Sequence, residues 1–134
     1  MAQDIMSSEV LTIREGATVE DALKILINNR ITGIPVVNAT NEMVGIVSEY
    51  DIMVQISEMS SKTASLDGLG LSAPVSFSAG AQAVRETTPL NEIIELFINL
   101  KYRRLPVVDK GNKLVGIITR RDLMRLFYYR ARLK

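Results

Sequence analysis

Residues 14–53 and 85–124 of this chain align at a fixed offset of 71 positions without a gap, and 13 of the 40 pairs are identical. A repeat of this kind constrains the fold more than composition does, because each copy must form the same supersecondary unit. The identities are Arg14-Glu15 with Arg85-Glu86, Ile27-Asn28 with Ile98-Asn99, and Pro35-Val36-Val37 with Pro106-Val107-Val108. Asn41, Val44, Gly45, Ile46, Asp51 and Met53 match Asn112, Val115, Gly116, Ile117, Asp122 and Met124. Most other pairs keep their apolar or polar character.

Each copy reads as β-α-β-β-α. A short strand is expected over Val10-Leu11-Thr12-Ile13, echoed weakly by Ala81-Gln82-Ala83-Val84. A helix then starts at Thr18 or at Thr88-Pro89, by N-capping or by proline in the first turn. Its core stripe is Val19, Ala22, Leu23 and Leu26 in the first copy, and Leu90, Ile93, Ile94 and Phe97 in the second. Buried strands follow at Ile34-Pro35-Val36-Val37 and Leu105-Pro106-Val107-Val108, where the proline argues for an edge or strand-start position. Asn38 to Glu42 and Asp109 to Lys113 read as hairpin turns into the strands Met43 to Val47 and Leu114 to Ile118. The copies divide as 1–66 and 67–134, with a linker over about 60–80 that includes a loop at Asp67-Gly68-Leu69-Gly70. Phe77 falls at the repeat position of Met6 and is expected to be an apolar anchor.

Between the last strand and last helix of each copy stands one motif: Gly45-Ile46-Val47-Ser48-Glu49-Tyr50-Asp51, and Gly116-Ile117-Ile118-Thr119-Arg120-Arg121-Asp122. A hydroxyl and a carboxylate therefore sit where free backbone N–H groups and the positive end of a helix dipole point outward, which suits an anion such as phosphate. Ser48-x-x-Asp51 and Thr119-x-x-Asp122 equally fit a capping box. The readings are compatible, since a capping group can also face a ligand.

The chain has no cysteine and no histidine, so disulfides, Cys/His zinc sites and His- or Cys-based catalysis are excluded. No apolar run approaches a membrane span, and the opening Met1-Ala2-Gln3-Asp4 lacks a signal-peptide pattern, so a cytoplasmic chain is expected. The net charge of +1 conceals an asymmetry: residues 1–67 sum to −6 and residues 68–134 to +7. That pattern hints at an anionic ligand or a head-to-tail partner, or simply at two solvated faces of different sign.

Two β-α-β-β-α units with Ile/Leu-Pro-Val-Val and Gly-φ-φ-Ser/Thr-x-x-Asp in order resemble a pair of CBS domains in tandem, a Bateman module. The resemblance covers Asp4 to about Arg130, and only the second opening, Val75 to Val84, departs from the pattern. It implies an α+β fold with the repeats related by a pseudo-twofold, and a regulatory, signal-sensing role rather than turnover. The implied ligand is an adenosine-type molecule, an adenine nucleotide (AMP, ADP or ATP) or adenosyl compound, with magnesium as an accompanying ion and no catalytic cofactor. The motif aspartate would bind the ribose diol and the Ser/Thr the phosphate, which is chemically sensible. One cleft would use Asp122, Thr119, Arg121 and Arg104, the sheet residue Ile117, Ile31-Thr32 from the other repeat, and the opening near Ile5 and Val10. The other would use Asp51, Ser48, Tyr50, Ile46 and Gly33, with Tyr102-Arg103 opposite and the segment near Ser76 or Ala81. The Asp122 cleft is the richer in arginine, so added phosphates are expected to strengthen binding there. The resemblance also implies a homodimer and an unknown regulated protein. A membrane partner is excluded, and a nucleic-acid partner using the basic half is disfavoured because aromatics are only 5%. An assembly module with empty clefts is the other alternative; an enzyme would have to rest on Asp51, Asp122 or a lysine.

Overall fold

A computed structural model of the chain describes residues 1–63, 70–80, 82–100 and 103–132. The expected loop at residues 67–70 therefore lies outside the described residues except for Gly70, as do Ala81 and Tyr102. Two compact units form. One comprises residues 11–81, the other residues 1–10 together with 82–134.

The first unit holds β1 (Ile13–Arg14), α1 (Val19–Asn29), β2 (Gly33–Val37), β3 (Met43–Ser48), α2 (Glu49–Thr63) and β4 (Ser78–Ala79), with sheet order β1-β2-β3-β4. The second unit holds β5 (Val84–Arg85), α3 (Leu90–Leu100), β6 (Arg104–Val108), β7 (Leu114–Thr119) and α4 (Arg120–Arg132), in order β5-β6-β7. A short 3-10 turn, Ala2–Asp4, joins it. The fold is α+β, as read from the sequence. No helix among the described residues is long and apolar enough to cross a membrane.

The two units repeat in detail. β1 and β5 pair parallel with β2 and β6, while β2-β3 and β6-β7 are antiparallel. A register shift falls at Val36/Val37 and again at Val107/Val108. In the hairpins, Asn38 Oδ1 accepts from Thr40 N–H at 3.0 Å and Glu42 N–H at 2.9 Å. Asp109 Oδ1 accepts from Gly111 N–H at 2.9 Å and Lys113 N–H at 3.0 Å. Asn41 and Asn112 take φ of 64° and 65°, a left-handed conformation that asparagine tolerates, which explains their identity in the repeat.

The helices follow their stripes. Val19, Ala22 and Leu26 are buried in one unit, Ile93 and Phe97 in the other, packed on Ile34, Val36 and Val47 or on Leu105, Val107 and Ile118. Thr18 caps α1, accepting from Asp21 N–H at 3.1 Å. Thr88 does not cap α3; its hydroxyl accepts from Arg85 N–H at 3.0 Å, and Pro89 leads into the helix instead.

Two expectations change. The first strand of each copy is shorter and later than its apolar run, because only Ile13-Arg14 and Val84-Arg85 find partners, on Val36-Val37 and Val107-Val108. The prolines sit on interior strands rather than edges. At Pro35 and Pro106, however, β1 and β5 do not run alongside, so the missing N–H leaves no ladder bond unmade.

The repeated glycine is explained by an arm laid against the returning strand. In the first unit, β4 pairs with β3 at Gly45 and Ile46, and Phe77 lies over the glycine. In the second, Ser7 bridges Ile117, and Met6 lies over Gly116. Each arm also reaches the helix start. Val19 N–H donates to the Ala73 carbonyl at 3.0 Å, and Ala2 N–H to the Thr88 carbonyl at 2.9 Å. Gln55 of α2 clamps the first arm, its amide donating to the Pro74 carbonyl and accepting from Ser76 N–H, both at 2.8 Å. The alignment of Phe77 with Met6 is thus matched in three dimensions.

A Cβ at Gly45 would collide with the Ser78 carbonyl and come within 2.6 Å of the Phe77 ring; at Gly116 it would meet only the Met6 side chain. Gly45→Ala is expected to destabilise by about 1–3 kcal/mol, the range for overpacking, and Gly116→Ala by less because methionine can move. Urea unfolding midpoints of the two variants test this, and equal losses would refute it.

Candidate functional site

Each motif lies where the second strand of a hairpin ends and a helix begins. In the first unit, Ser48 closes β3 opposite Gly33 of β2. In the second, Thr119 closes β7 opposite Arg104 of β6. The capping boxes form as read. Ser48 N–H and Ser48 Oγ both donate to Asp51 Oδ2 at 2.9 Å, and Asp51 N–H donates back to Ser48 Oγ at 3.1 Å. Thr119 N–H and Oγ1 donate to Asp122 Oδ2 at 2.7 and 3.0 Å, and Asp122 N–H donates back at 3.2 Å.

The sites differ in what remains open. Asp51 Oδ1 accepts from the Ser78 hydroxyl at 3.1 Å, so both oxygens are engaged. Glu49 N–H, at the start of α2, is taken by the Thr32 carbonyl at 3.0 Å. Asp122 Oδ1 has no hydrogen-bond partner among the described residues, although Ser7 stands at the repeat position of Ser78. Burial pushes the Arg104 guanidinium below its ordinary pKa, while the negative charge of Asp122 opposes that shift. Among the described residues the Arg104 guanidinium makes neither a hydrogen bond nor an ion pair. The second unit therefore offers an open carboxylate oxygen and an unpaired, half-buried guanidinium at one strand-to-helix junction.

The expected site residues fall as follows. Thr119, Asp122 and Arg104 come together in the second unit. Ile5 joins Asp122 in lining a hollow of about 400 Å³, with Asp4, Ser7, Arg125 and Tyr129. Arg121 is exposed and not part of that lining; Arg103 is exposed, Val10 half-buried, and Ile117 buried in β7. In the first unit, Ser48 and Asp51 pair and Ile46 stands in β3 beside Ser78, while Tyr50 points to solvent. Ile31 and Thr32 line a groove of about 560 Å³ between α1 and α2, with Leu23, Glu49 and Met53.

Sequence reasoning missed Arg125 and Tyr129. Their signal was spacing, because residues three and seven positions beyond Asp122 share its helix face. Ser78 and Gln55 were also missed, and only the offset of 71 from Ser7 could have suggested Ser78.

Known proteins share this fold. The CBS domain family model matches residues 2–58 and 79–129. CBSX1 of Arabidopsis thaliana, a chloroplastic CBS domain-containing protein, is 33% identical over 141 residues, covering 84% of this chain and 57% of CBSX1. The chain thus spans little more than half of that relative, and the same holds for CBSX2, at 56%. The crystal structure of CBSX2 in complex with AMP superposes with a TM-score of 0.78 at 30% identity, covering 96% of each chain. AcuB from Vibrio cholerae superposes with a TM-score of 0.81 at 28% identity, covering 98% of this chain and 93% of that one. Two matched segments, each carrying its own arm-covered glycine and capped aspartate, make this chain a member of the CBS domain family with two CBS domains in tandem.

Proposed function

We propose that the chain is a regulatory sensor module that binds an adenine nucleotide or adenosyl compound without turning it over. The observation that carries this reading is the junction at Thr119-Asp122, with Asp122 Oδ1 open and Arg104 unpaired beside it. A carboxylate accepts from a ribose hydroxyl, and a guanidinium forms charge-assisted pairs with phosphate. That CBSX2, at 30% identity, was crystallised with AMP supports the ligand class. Arg121 and Val10 belong to the proposal as further ligand contacts. At the Asp51 site the proposal keeps Ser48, Gly33 and Tyr50. With neither histidine nor cysteine in the chain, the groups available suit binding better than acid–base or nucleophilic chemistry.

The module works as a homodimer. Ile27 and Ile98 are identical in the repeat yet 70% and 68% exposed, and so are Met53 and Met124, at 63% and 57%. Apolar residues that recur at matched positions outside the core mark a surface to be covered. Glu49 opens α2 where Arg120 opens α4, so the antiparallel pairing of two copies brings acid to base.

Two measurements test these readings. Asp122→Ala is expected to weaken AMP binding by about 1.5–3 kcal/mol, the range for a hydrogen bond to a charged group, and Asp51→Ala by clearly less. Calorimetric titration decides, and equal negligible losses would remove the argument from the motif. Sedimentation at tens of micromolar, sensitive to about −6 kcal/mol of association, is expected to show a dimer that loosens as salt rises. A monomer at that concentration would overturn the second reading.

A further inference from the structure

The hydroxyl that closes the Asp51 carboxylate comes from the chain itself. Ser78 Oγ donates to Asp51 Oδ1 at 3.1 Å, while Oδ2 of the same carboxylate holds the cap of α2. A serine hydroxyl on a carboxylate makes the contact that a ribose hydroxyl would make. Ser78 reaches that place on β4, which pairs with β3 at Gly45 and Ile46. The second unit repeats the main-chain arrangement, for Ser7 and Ile117 exchange two backbone hydrogen bonds of 2.9 Å. The side-chain contact is not repeated, since Asp122 Oδ1 has no hydrogen-bond partner among the described residues. The difference goes with the clamp. Gln55 holds the first arm by the Pro74 carbonyl and the Ser76 N–H, whereas the matching position of the second unit is Leu126, whose side chain can neither donate nor accept. The first arm also pairs at two residues, the second through one bridge.

We propose that Ser78 is a latch: its hydroxyl stands in for a ribose hydroxyl on Asp51, Gln55 sets it there, and the first site takes a ribonucleoside only when β4 lifts. The proposal rests on the adenine-ligand reading and deepens it. A cis-diol presents two hydroxyls. Asp122 Oδ1 has both lone pairs open to them, whereas Asp51 Oδ1 has given one to Ser78. The segment that must move is small. β4 is only Ser78–Ala79, and both residues are exposed. Gly80 follows at φ 70°, a backbone pivot that carries no side chain. The Gln55 clamp lies upstream of β4, so it keeps the arm at hand and the latch re-forms when the ligand leaves. A site that is competent only while its latch is open binds more weakly in proportion to the open fraction. The Asp51 site therefore stays closed at ligand concentrations that fill the Asp122 site, through a hydrogen bond and not through charge.

The test titrates AMP by calorimetry into the full chain carrying Asp122→Ala, so that the Asp51 site is read alone. Adding Ser78→Ala is expected to tighten AMP at least about tenfold, the lower end for a hydrogen bond to a charged group. Gln55→Leu, which copies the second unit, should tighten it in the same direction. Ser78→Thr keeps the hydroxyl and should keep the weaker affinity. Amide hydrogen exchange gives a second reading: AMP should speed exchange in β4 of the chain that keeps Ser78, the opposite of the protection given to a segment that a ligand merely covers. If AMP binds the unsubstituted chain and neither Ser78→Ala nor Gln55→Leu tightens or uncovers binding at the Asp51 site, the latch is overturned and the ligand reading stands. Slower exchange in β4 on binding there would overturn it too. If AMP binds neither the unsubstituted chain nor Ser78→Ala, the ligand reading falls and the latch with it. Gln55→Leu and the exchange measurement decide should Ser78→Ala fail to fold.

Discussion

The missing Cβ at Gly45 and Gly116 is the constraint from which both fold and site follow. With a Cβ present, Phe77 and Ser78 could not lie across β3 as they do, and Met6 would have to shift on β7. The arm adds main-chain pairing to a strand that would otherwise be an edge, through Ser78 on Ile46 and Ser7 on Ile117. Covering an edge in this way removes a row of unpaired N–H and C=O groups. It also delivers a serine to the neighbourhood of the motif aspartate, because Ser78 follows Phe77 as Ser7 follows Met6. One stereochemical requirement therefore closes the sheet and furnishes the junction where a ligand would sit.

Capping and ligand binding draw on the same two side chains, and the geometry says which can be shared. Oδ2 of each aspartate holds the cap, a feature worth about 1 kcal/mol to a helix. A ribose hydroxyl on Asp122 Oδ1 leaves that cap intact. The hydroxyl of Thr119 has a single proton, and it is already donated to Asp122. A phosphate drawing on that proton must break part of the cap, whereas one drawing on Arg104 breaks nothing among the described residues. On the proposed reading, the division of labour implied by the family resemblance, aspartate to ribose and hydroxyl to phosphate, would shift towards aspartate to ribose and guanidinium to phosphate.

Much of this was legible in the sequence, for local reasons. Helix stripes, the Thr18 cap, the hairpin asparagines and the paired motifs depend on neighbours within a few positions, and a repeat displays each twice. The starts of β1 and β5 were not legible, because a strand ends where its partner ends, and Val10 to Thr12 are apolar enough to suggest a pairing they do not make. The placement of Pro35 inside the sheet was hidden for the same reason: the shortness of β1 is a tertiary fact. The arm was glimpsed only through the offset linking Phe77 to Met6. That the N-terminal arm packs on Gly116 rather than Gly45 is a long-range choice that no local pattern encodes. Arg125 and Tyr129 needed only a helical wheel, but the motif drew attention to the helix start instead.

That long-range choice also reshapes the electrostatics. Divided along the sequence, the halves carry −6 and +7; divided into the units that form, residues 11–81 carry −4 and the remainder +5, because the arm brings Asp4 and Glu9 to the basic unit. Exchange of the arm thus narrows the charge difference between the units without touching the junctions, where the contrast is steepest. At the motif, Glu49 and Tyr50 face the sequence positions of Arg120 and Arg121, and Gly33 that of Arg104. The core, the glycine, the hairpin turn and the cap require the same residue types in both copies, and there the copies agree. Side chains at the junction that no packing contact fixes are free to differ, and there they differ in charge. A fold that demands so little of these positions can carry two junctions of unlike electrostatics on one repeated frame, and on the proposed reading the two would answer unequally to a charged ligand.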